Sequence, residues 1–166
     1  MSRPPQAWLA TFFGAGMSPV APGTVGSLAA SVVLLVIYKA AGAWSYPAWQ
    51  WVLVAGIVLA SAAAVALGPW AFGFYGRKDP GSFVLDEVAG ICLTTLLLPM
   101  YPGWREAYAL LASFAAFRLF DVWKPWPCHR LETLPAGWGI LADDLGAAIY
   151  ANVLCQLVLR LLITKV

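Results

Sequence analysis

Long apolar runs alternate along this chain with short polar clusters, and the runs have the length of membrane helices. About 20 largely apolar residues are needed to cross a hydrocarbon core of about 30 Å. Charges, Pro and Gly mark off about five such segments. The first runs from Thr24 to Trp44, interrupted by Lys39, and the second from Trp49 to Tyr75 without a charged residue. A third, Phe83 to Met100, carries Asp86 and Glu87 near its start, and a fourth, Glu106 to Trp123, carries Arg118 and Asp121 near its end. The fifth, Ile140 to Ile163, has Asp143 and Asp144 at its start. Ala7 to Phe13 is too short to span and reads as an interfacial helix. The joints carry turn residues, as at Tyr46-Pro47, Asp79-Pro80-Gly81, Pro99 to Gly103 and Pro125 to Gly139, and most tryptophans fall near segment ends, where indoles anchor in the headgroup layer. The pattern predicts an all-α, polytopic membrane bundle of about five spanning helices plus a short N-terminal interfacial helix, forming one domain over residues 1–166.

Composition strengthens this reading. The 166 residues are 61% hydrophobic and 11% charged, with a mean hydropathy of +0.77, more apolar surface than a soluble domain of this size can hide. Ten Lys and Arg against eight Asp and Glu are too few and too dispersed for a phosphate-tracking stripe, so no nucleic-acid partner is expected. Cys92, Cys128 and Cys155 are odd in number and far apart, which fits apolar packing rather than a disulfide framework or zinc site. The N-terminus, with Arg3, a Pro pair and a short apolar stretch, is poor material for a cleavable signal, so membrane targeting is expected from the helices themselves.

The charges change the picture from a bundle to a site. If five helices alternate in direction, the starts of the first, third and fifth share a membrane face with the ends of the second and fourth. The unusual polar groups sort onto that face: Ser18 to Ser27, Arg77 to Asp79, Asp86 and Glu87, Arg118, Asp121 and Lys124, and Asp143 and Asp144. Ionisable groups at membrane depth face the bundle, pair with each other or line a functional cavity. Asp86, Glu87, Asp121, Asp143 and Asp144 repel one another unless cations intervene, and oxygen-only ligands suit a hard cation such as Mg2+. For any one of them, pairing with Arg77, Lys78, Arg118 or Lys124 at a solvated helix boundary is the plain alternative; for all five together it is the weaker account.

Arg118, Asp121 and Lys124 lie three apart, so two cations straddle one carboxylate in the manner of a phosphate clamp. The stretch Ala21-Pro22-Gly23-Thr24-Val25-Gly26-Ser27 opens a helix whose free N–H groups suit an anion, with Thr24 and Ser27 as further donors. By itself it is ordinary turn and capping chemistry; beside the carboxylates and two cations it becomes a candidate phosphate cradle. Asp144, Ala148, Asn152, Gln156 and Arg160 form an i, i+4 stripe that interhelical hydrogen bonding and snorkelling explain. His129, the sole histidine, reads as a solvated loop residue, and neither a serine-esterase elbow nor a P-loop occurs.

The segments SPVAPGTVGSLAA (Ser18 to Ala30), DPGSFVLDEVAG (Asp79 to Gly90), FRLFDVWKPWP (Phe117 to Pro127) and GWGILADDLGAAIYA (Gly137 to Ala151) closely resemble the phosphatidylglycerophosphatase A family, in the family's order and over roughly a third of the chain. The resemblance implies a small bacterial inner-membrane helical phosphatase that uses Mg2+ to hydrolyse phosphatidylglycerophosphate to phosphatidylglycerol and inorganic phosphate. It maps the family's acidic positions onto Asp79, Asp86, Glu87, Asp121, Asp143 and Asp144, with Asp79, Asp86, Glu87, Asp143 and Asp144 as the implied metal set. Its basic positions fall on Arg118 and Lys124, and its Gly-Thr-x-Gly-Ser pattern on Gly23, Thr24, Gly26 and Ser27. Where many members carry a His-Gly-Gly run this chain reads Leu134-Pro135-Ala136-Gly137, so no loop histidine is carried over.

The expected chemistry is charge neutralisation at a phosphate monoester, by direct water attack or through an aspartyl-phosphate. Arg3, Arg77, Lys78, Arg118, Lys124 and Arg130 on the site's face, against Lys39, Arg105, Arg160 and Lys165 toward the other, favour a cytoplasmic site. The rival readings are a small cation transporter or channel using the same carboxylates, a lipid-binding scaffold without turnover, and a phosphatase for another lipid phosphate. A transporter predicts polar residues through the full membrane depth, whereas the third and fourth segments carry them at one end only.

Overall fold

The computed structural model describes residues 4–40, 45–77, 80–99, 105–135 and 137–163. Every regular element among them is helical: α1 (Pro5–Ala10), a 3-10 turn (Ala15–Met17), α2 (Pro22–Ala40), α3 (Tyr46–Tyr75), α4 (Leu85–Thr95), α5 (Arg105–Trp123), α6 (Cys128–Leu131) and α7 (Gly137–Ile163). Each of the five long apolar segments has become a helix. Three of them, α2, α3 and α7, are long and apolar enough to cross a membrane by length and composition. The 19 residues of α5 carry charge at both ends, and α4 is only 11 residues long. Among the described residues, length and composition thus support three spans, and a count of five is not confirmed.

The shortness of α4 has a local cause. The segment expected to run to Met100 leaves the helix at Leu96, which is extended (ψ 135°), and Leu97 turns left-handed (φ 61°) ahead of Pro99. Eleven residues rise about 16 Å, roughly half a hydrocarbon core. In apolar surroundings the freed backbone groups must find partners within the protein. The Asn152 side chain of α7 donates to the carbonyls of Leu93, Thr94 and Leu96, and the Leu97 N–H donates to Gln50 Oε1 of α3 at 2.8 Å.

α3 begins at a Ser45 cap that accepts from the Ala48 N–H, with Pro47 in its first turn. It stops at Gly76, left-handed at φ 68°, whose N–H donates to the Phe72 carbonyl. The outer faces are apolar: Val32 and Val36 of α2, Val58 and Leu59 of α3, and Val153 and Leu157 of α7 are exposed large hydrophobics. Such a surface is stable against lipid rather than water. Inside, Trp49, Leu53, Ile91, Leu98 and Phe117 are the large members of the main cluster, which α2 and α7 complete with Leu34 and Ala148. The cysteines are free and buried, as expected; Cys92 Sγ would lie 2.8 Å from a methyl placed on Gly56 of α3.

The N-terminal piece does more than lie at the interface. Trp8, Leu9 and Phe13 are exposed, but Ala7 and Ala10 are buried, and the Ala10 carbonyl accepts from the Val84 N–H at 3.0 Å. This holds the strap Phe83-Val84 that leads into α4. Gly26 of α2 packs on the same strap so closely that a methyl there would meet Val84 Cβ at 2.7 Å.

Candidate active site

Four helix ends meet at one end of the bundle. The starts of α2, α4 and α7 and the end of α5 enclose a cavity of about 400 Å³ lined by Gly23, Asp86, Glu87, Arg118, Asp121, Lys124, Asp143 and Asp144, together with Ala21, Pro22, Gly81, Phe83, Val122 and Ile140. At the far end of α2 and α5, Lys39 Nζ pairs with Glu106 Oε1 at 2.6 Å, which sets these two helices antiparallel, as the charge pattern implied. Asp79 and Lys78 lie outside the described residues.

The carboxylates fall into two groups. Asp86, Glu87 and Asp144 each present one oxygen such that the three lie within 4.8 Å of one another. Asp86 and Glu87 occupy the first turn of α4, where the helix dipole favours negative charge, and Asp86 Oδ1 accepts from the Glu87 N–H at 3.1 Å. At such separations each like-charge pair costs about 3.5 kcal/mol at an effective dielectric of about 20. Glu87 Oε2 and Asp144 Oδ2 are buried without a hydrogen-bond donor. A hard cation resolves both problems at once, and the three residues fit one. Asp144 also lies within hydrogen-bonding reach of Asp121 on α5.

Asp143 goes elsewhere. Its Oδ2 accepts from Lys124 Nζ at 2.7 Å, and Lys124 also stands 3.4 Å from Glu132 Oε2. Burial draws the Lys124 ammonium down, but the hydrogen bond to Asp143 and the charges of Asp143 and Glu132 outweigh it and hold the pKa above the ordinary lysine value. Lys124 sits left-handed (φ 46°) between Trp123 and Pro125, a conformation costly for a residue with a Cβ. Glu132 was not singled out from the sequence, since nothing in its spacing ties it to Lys124.

Arg118 Nη1 lies 2.7 Å from Asp121 Oδ2, yet the contact is off the N–H direction and the same buried nitrogen has no hydrogen-bond acceptor. Arg118 lines the cavity with this hydrogen-bonding capacity unmet. Gly23, in the first turn of α2, sits against Glu87 Oε1 and Arg118 Nη1, so that any Cβ there would collide with the Glu87 carboxylate. This close approach explains the glycine better than turn chemistry does.

The rest of the expected cradle is not at the cavity. Ser27 is fully buried and donates its hydroxyl to the Gly23 carbonyl at 2.8 Å, while Gly26 is spent on the approach to Val84. Thr24 is partly buried in α2 and does not line the cavity. Gly26 and Ser27 share Gly23's face of α2 but lie one turn deeper in the bundle, while Thr24, about 100° round the helix, is turned away from the opening that Pro22 and Gly23 line. His129 is exposed in α6, as a solvated residue would be.

A family profile described as phosphatidylglycerophosphatase A matches residues 8–159. A Bacteroides thetaiotaomicron protein, provisionally named a phosphatidylinositol-3-phosphatase, is 33% identical over 146 residues, covering 88% of each chain. Proteins named phosphatidylglycerophosphatase A from Escherichia coli and Haemophilus influenzae are each 34% identical, covering 85% and 86% of this chain and 76% and 82% of their own. No solved structure gives a significant match. With a family profile spanning most of its length and three relatives of 33–34% identity aligned over 85–88% of it, the chain belongs to the phosphatidylglycerophosphatase A family.

Proposed function

We propose that the chain is a Mg2+-dependent lipid phosphatase, a single membrane-embedded domain that hydrolyses phosphatidylglycerophosphate to phosphatidylglycerol and inorganic phosphate. The observation that carries this reading is the mixture of unspent groups in one cavity: free acceptors on Glu87, Asp143 and Asp144 beside a free donor on Arg118. Acceptors call for a cation and the donor for an anion, and a divalent cation with a phosphate monoester supplies both. The names of the Escherichia coli and Haemophilus influenzae relatives support the same substrate.

In this mechanism Asp86, Glu87 and Asp144 hold the cation, with Asp79 as a further ligand expected from the family pattern. When bound, Mg2+ neutralises the phosphate and polarises its oxygens. Arg118 and Lys124 bind the equatorial oxygens, where charge spreads as the phosphoryl group transfers. Gly23 admits the phosphate to the start of α2, whose N–H groups face an anion. Asp143 keeps the Lys124 ammonium aimed, and Asp121 does the same for the Arg118 guanidinium. Water supplies the oxygen that replaces the glycerol oxygen on phosphorus, and the released alkoxide takes up a proton.

The cavity's rim supports a lipid rather than a soluble substrate. Val122 lines the cavity, and Val20, Trp123 and Trp126 neighbour cavity residues Ala21, Val122 and Lys124 along the chain; all four are 68–75% exposed, which suits immersion at the headgroup level. The excess of Arg and Lys on this face supports a cytoplasmic orientation in the bacterial inner membrane. One finding favours a second substrate, the name of the Bacteroides relative, which points to an inositol-lipid phosphate. The test is phosphate release by purified protein in mixed micelles of phosphatidylglycerophosphate or phosphatidylinositol 3-phosphate, with Mg2+ or with EDTA. Metal-dependent turnover preferring the glycerophosphate lipid is expected. Preference for the inositol lipid reassigns the substrate, and turnover undiminished by EDTA contradicts the cation's role.

A further inference from the structure

Two rungs join α4 to α7, and their spacing matches. Asp86 and Asp144 meet at the cavity, and eight residues further along each helix Thr94 meets Asn152. Eight residues rise about 12 Å in either helix, so the two helices run side by side from the site in one register. The lower rung is a single side chain. Asn152 Nδ2 donates to the carbonyls of Leu93 at 3.3 Å, Thr94 at 2.9 Å and Leu96 at 2.7 Å, where α4 ends.

The orientation of that amide is fixed from further along α7. Arg160 carries donors only, so its Nε donates to Gln156 Oε1 at 3.0 Å. Gln156 must then turn its Nε2 to Asn152 Oδ1, at 3.2 Å, which leaves the Asn152 amino group to face α4. In an apolar interior the three carbonyls have no water to turn to, and a shift of α4 by one residue along α7 would strand them. The last two links of the i, i+4 stripe, Asn152 to Gln156 and Gln156 to Arg160, are thereby used.

We infer that Asn152 is a positioning residue, locking the axial register of α4 on α7 and so delivering Asp86 and Glu87 to Asp144. The inference rests on the reading of those three carboxylates as cation ligands. Asn152 touches no carboxylate and no substrate; it acts through the helix it holds.

The test titrates the full chain in detergent micelles with Mn2+, followed by the EPR signal of the free ion, alongside hydrogen exchange of residues 85–99. Asn152→Leu, close in size but without a donor, is expected to weaken Mn2+ binding about tenfold or more, the range seen when the supports of metal ligands are removed, and to speed exchange at the end of α4. Lys39→Met, which breaks the far-end pair between α2 and α5, is expected to keep the wild-type affinity. A folded Asn152→Leu that binds Mn2+ as the wild type does overturns the inference. Should Asn152→Leu not fold, Gln156→Leu replaces it: a smaller loss of affinity in the same direction supports the inference, and none overturns it. A wild-type chain that binds no Mn2+ refutes the cation site instead. The register is then judged by exchange alone, where unchanged protection in Asn152→Leu overturns it.

Discussion

Gly23→Ala separates the chemistry of the site from the stability of the bundle. The added methyl would overlap Glu87 Oε1 and lie 3.4 Å from Arg118 Nη1. The colliding atom is the tip of a long side chain, so the carboxylate yields rather than the backbone, at about 0.5–1.5 kcal/mol for an off-rotamer side chain. That shift takes Glu87 out of the 4.8 Å cluster it forms with Asp86 and Asp144. Misplacing a reacting or ligating group by about 1 Å costs about a hundredfold in rate. The expected result is therefore a drop in kcat/KM of about a hundredfold, with the unfolding midpoint lowered by only a few degrees. Phosphate release in mixed micelles and thermal unfolding by circular dichroism, run on the same preparation, give both numbers. Activity within threefold of wild type, or a loss that merely tracks unfolding, would refute the role given to this close approach.

Gly26→Ala is expected to do the reverse, because Val84 Cβ is fixed to the backbone and cannot swing away: about 1–3 kcal/mol of stability is lost, partly restored by Val84→Ala in the double mutant, as denaturation curves will read. Lys39→Met leaves Glu106, 2% exposed, without its cation and costs about 1–3 kcal/mol, while Glu106→Gln costs less; neither changes kcat, since the pair lies at the opposite end of the bundle. Thermal shift and turnover measured together check both.

The helices and the convergence of their ends were legible in the sequence because both follow from periodicity and charge, which one chain displays in full. Helix directions alternate, so Gly23, Asp86, Arg118 and Asp144 had to share a face. What could not be read depends on pairing across elements. Asp143 looks equivalent to Asp144, yet α7 turns one toward Lys124 and the other toward α4. Ser27 looks like a phosphate donor, but its hydroxyl closes on the Gly23 carbonyl one helical turn back. The early end of α4 was hidden because its apolar run continues through Leu98, and the residue that accommodates the break, Asn152, lies 57 positions after Thr95. The N-terminal stretch showed its aromatic residues but not the Ala10 carbonyl that braces Val84.

The central claim is that carboxylates from α4 and α7 act together on a lipid phosphate, and Asp144→Asn tests it most directly. Asparagine keeps the size of a buried residue, 6% exposed, while removing one negative charge and one cation ligand. With Mg2+ and phosphatidylglycerophosphate in mixed micelles, the account predicts phosphate release reduced about a hundredfold or more in a chain whose circular dichroism matches the wild type. Release within a few-fold of wild type by that folded variant would contradict it.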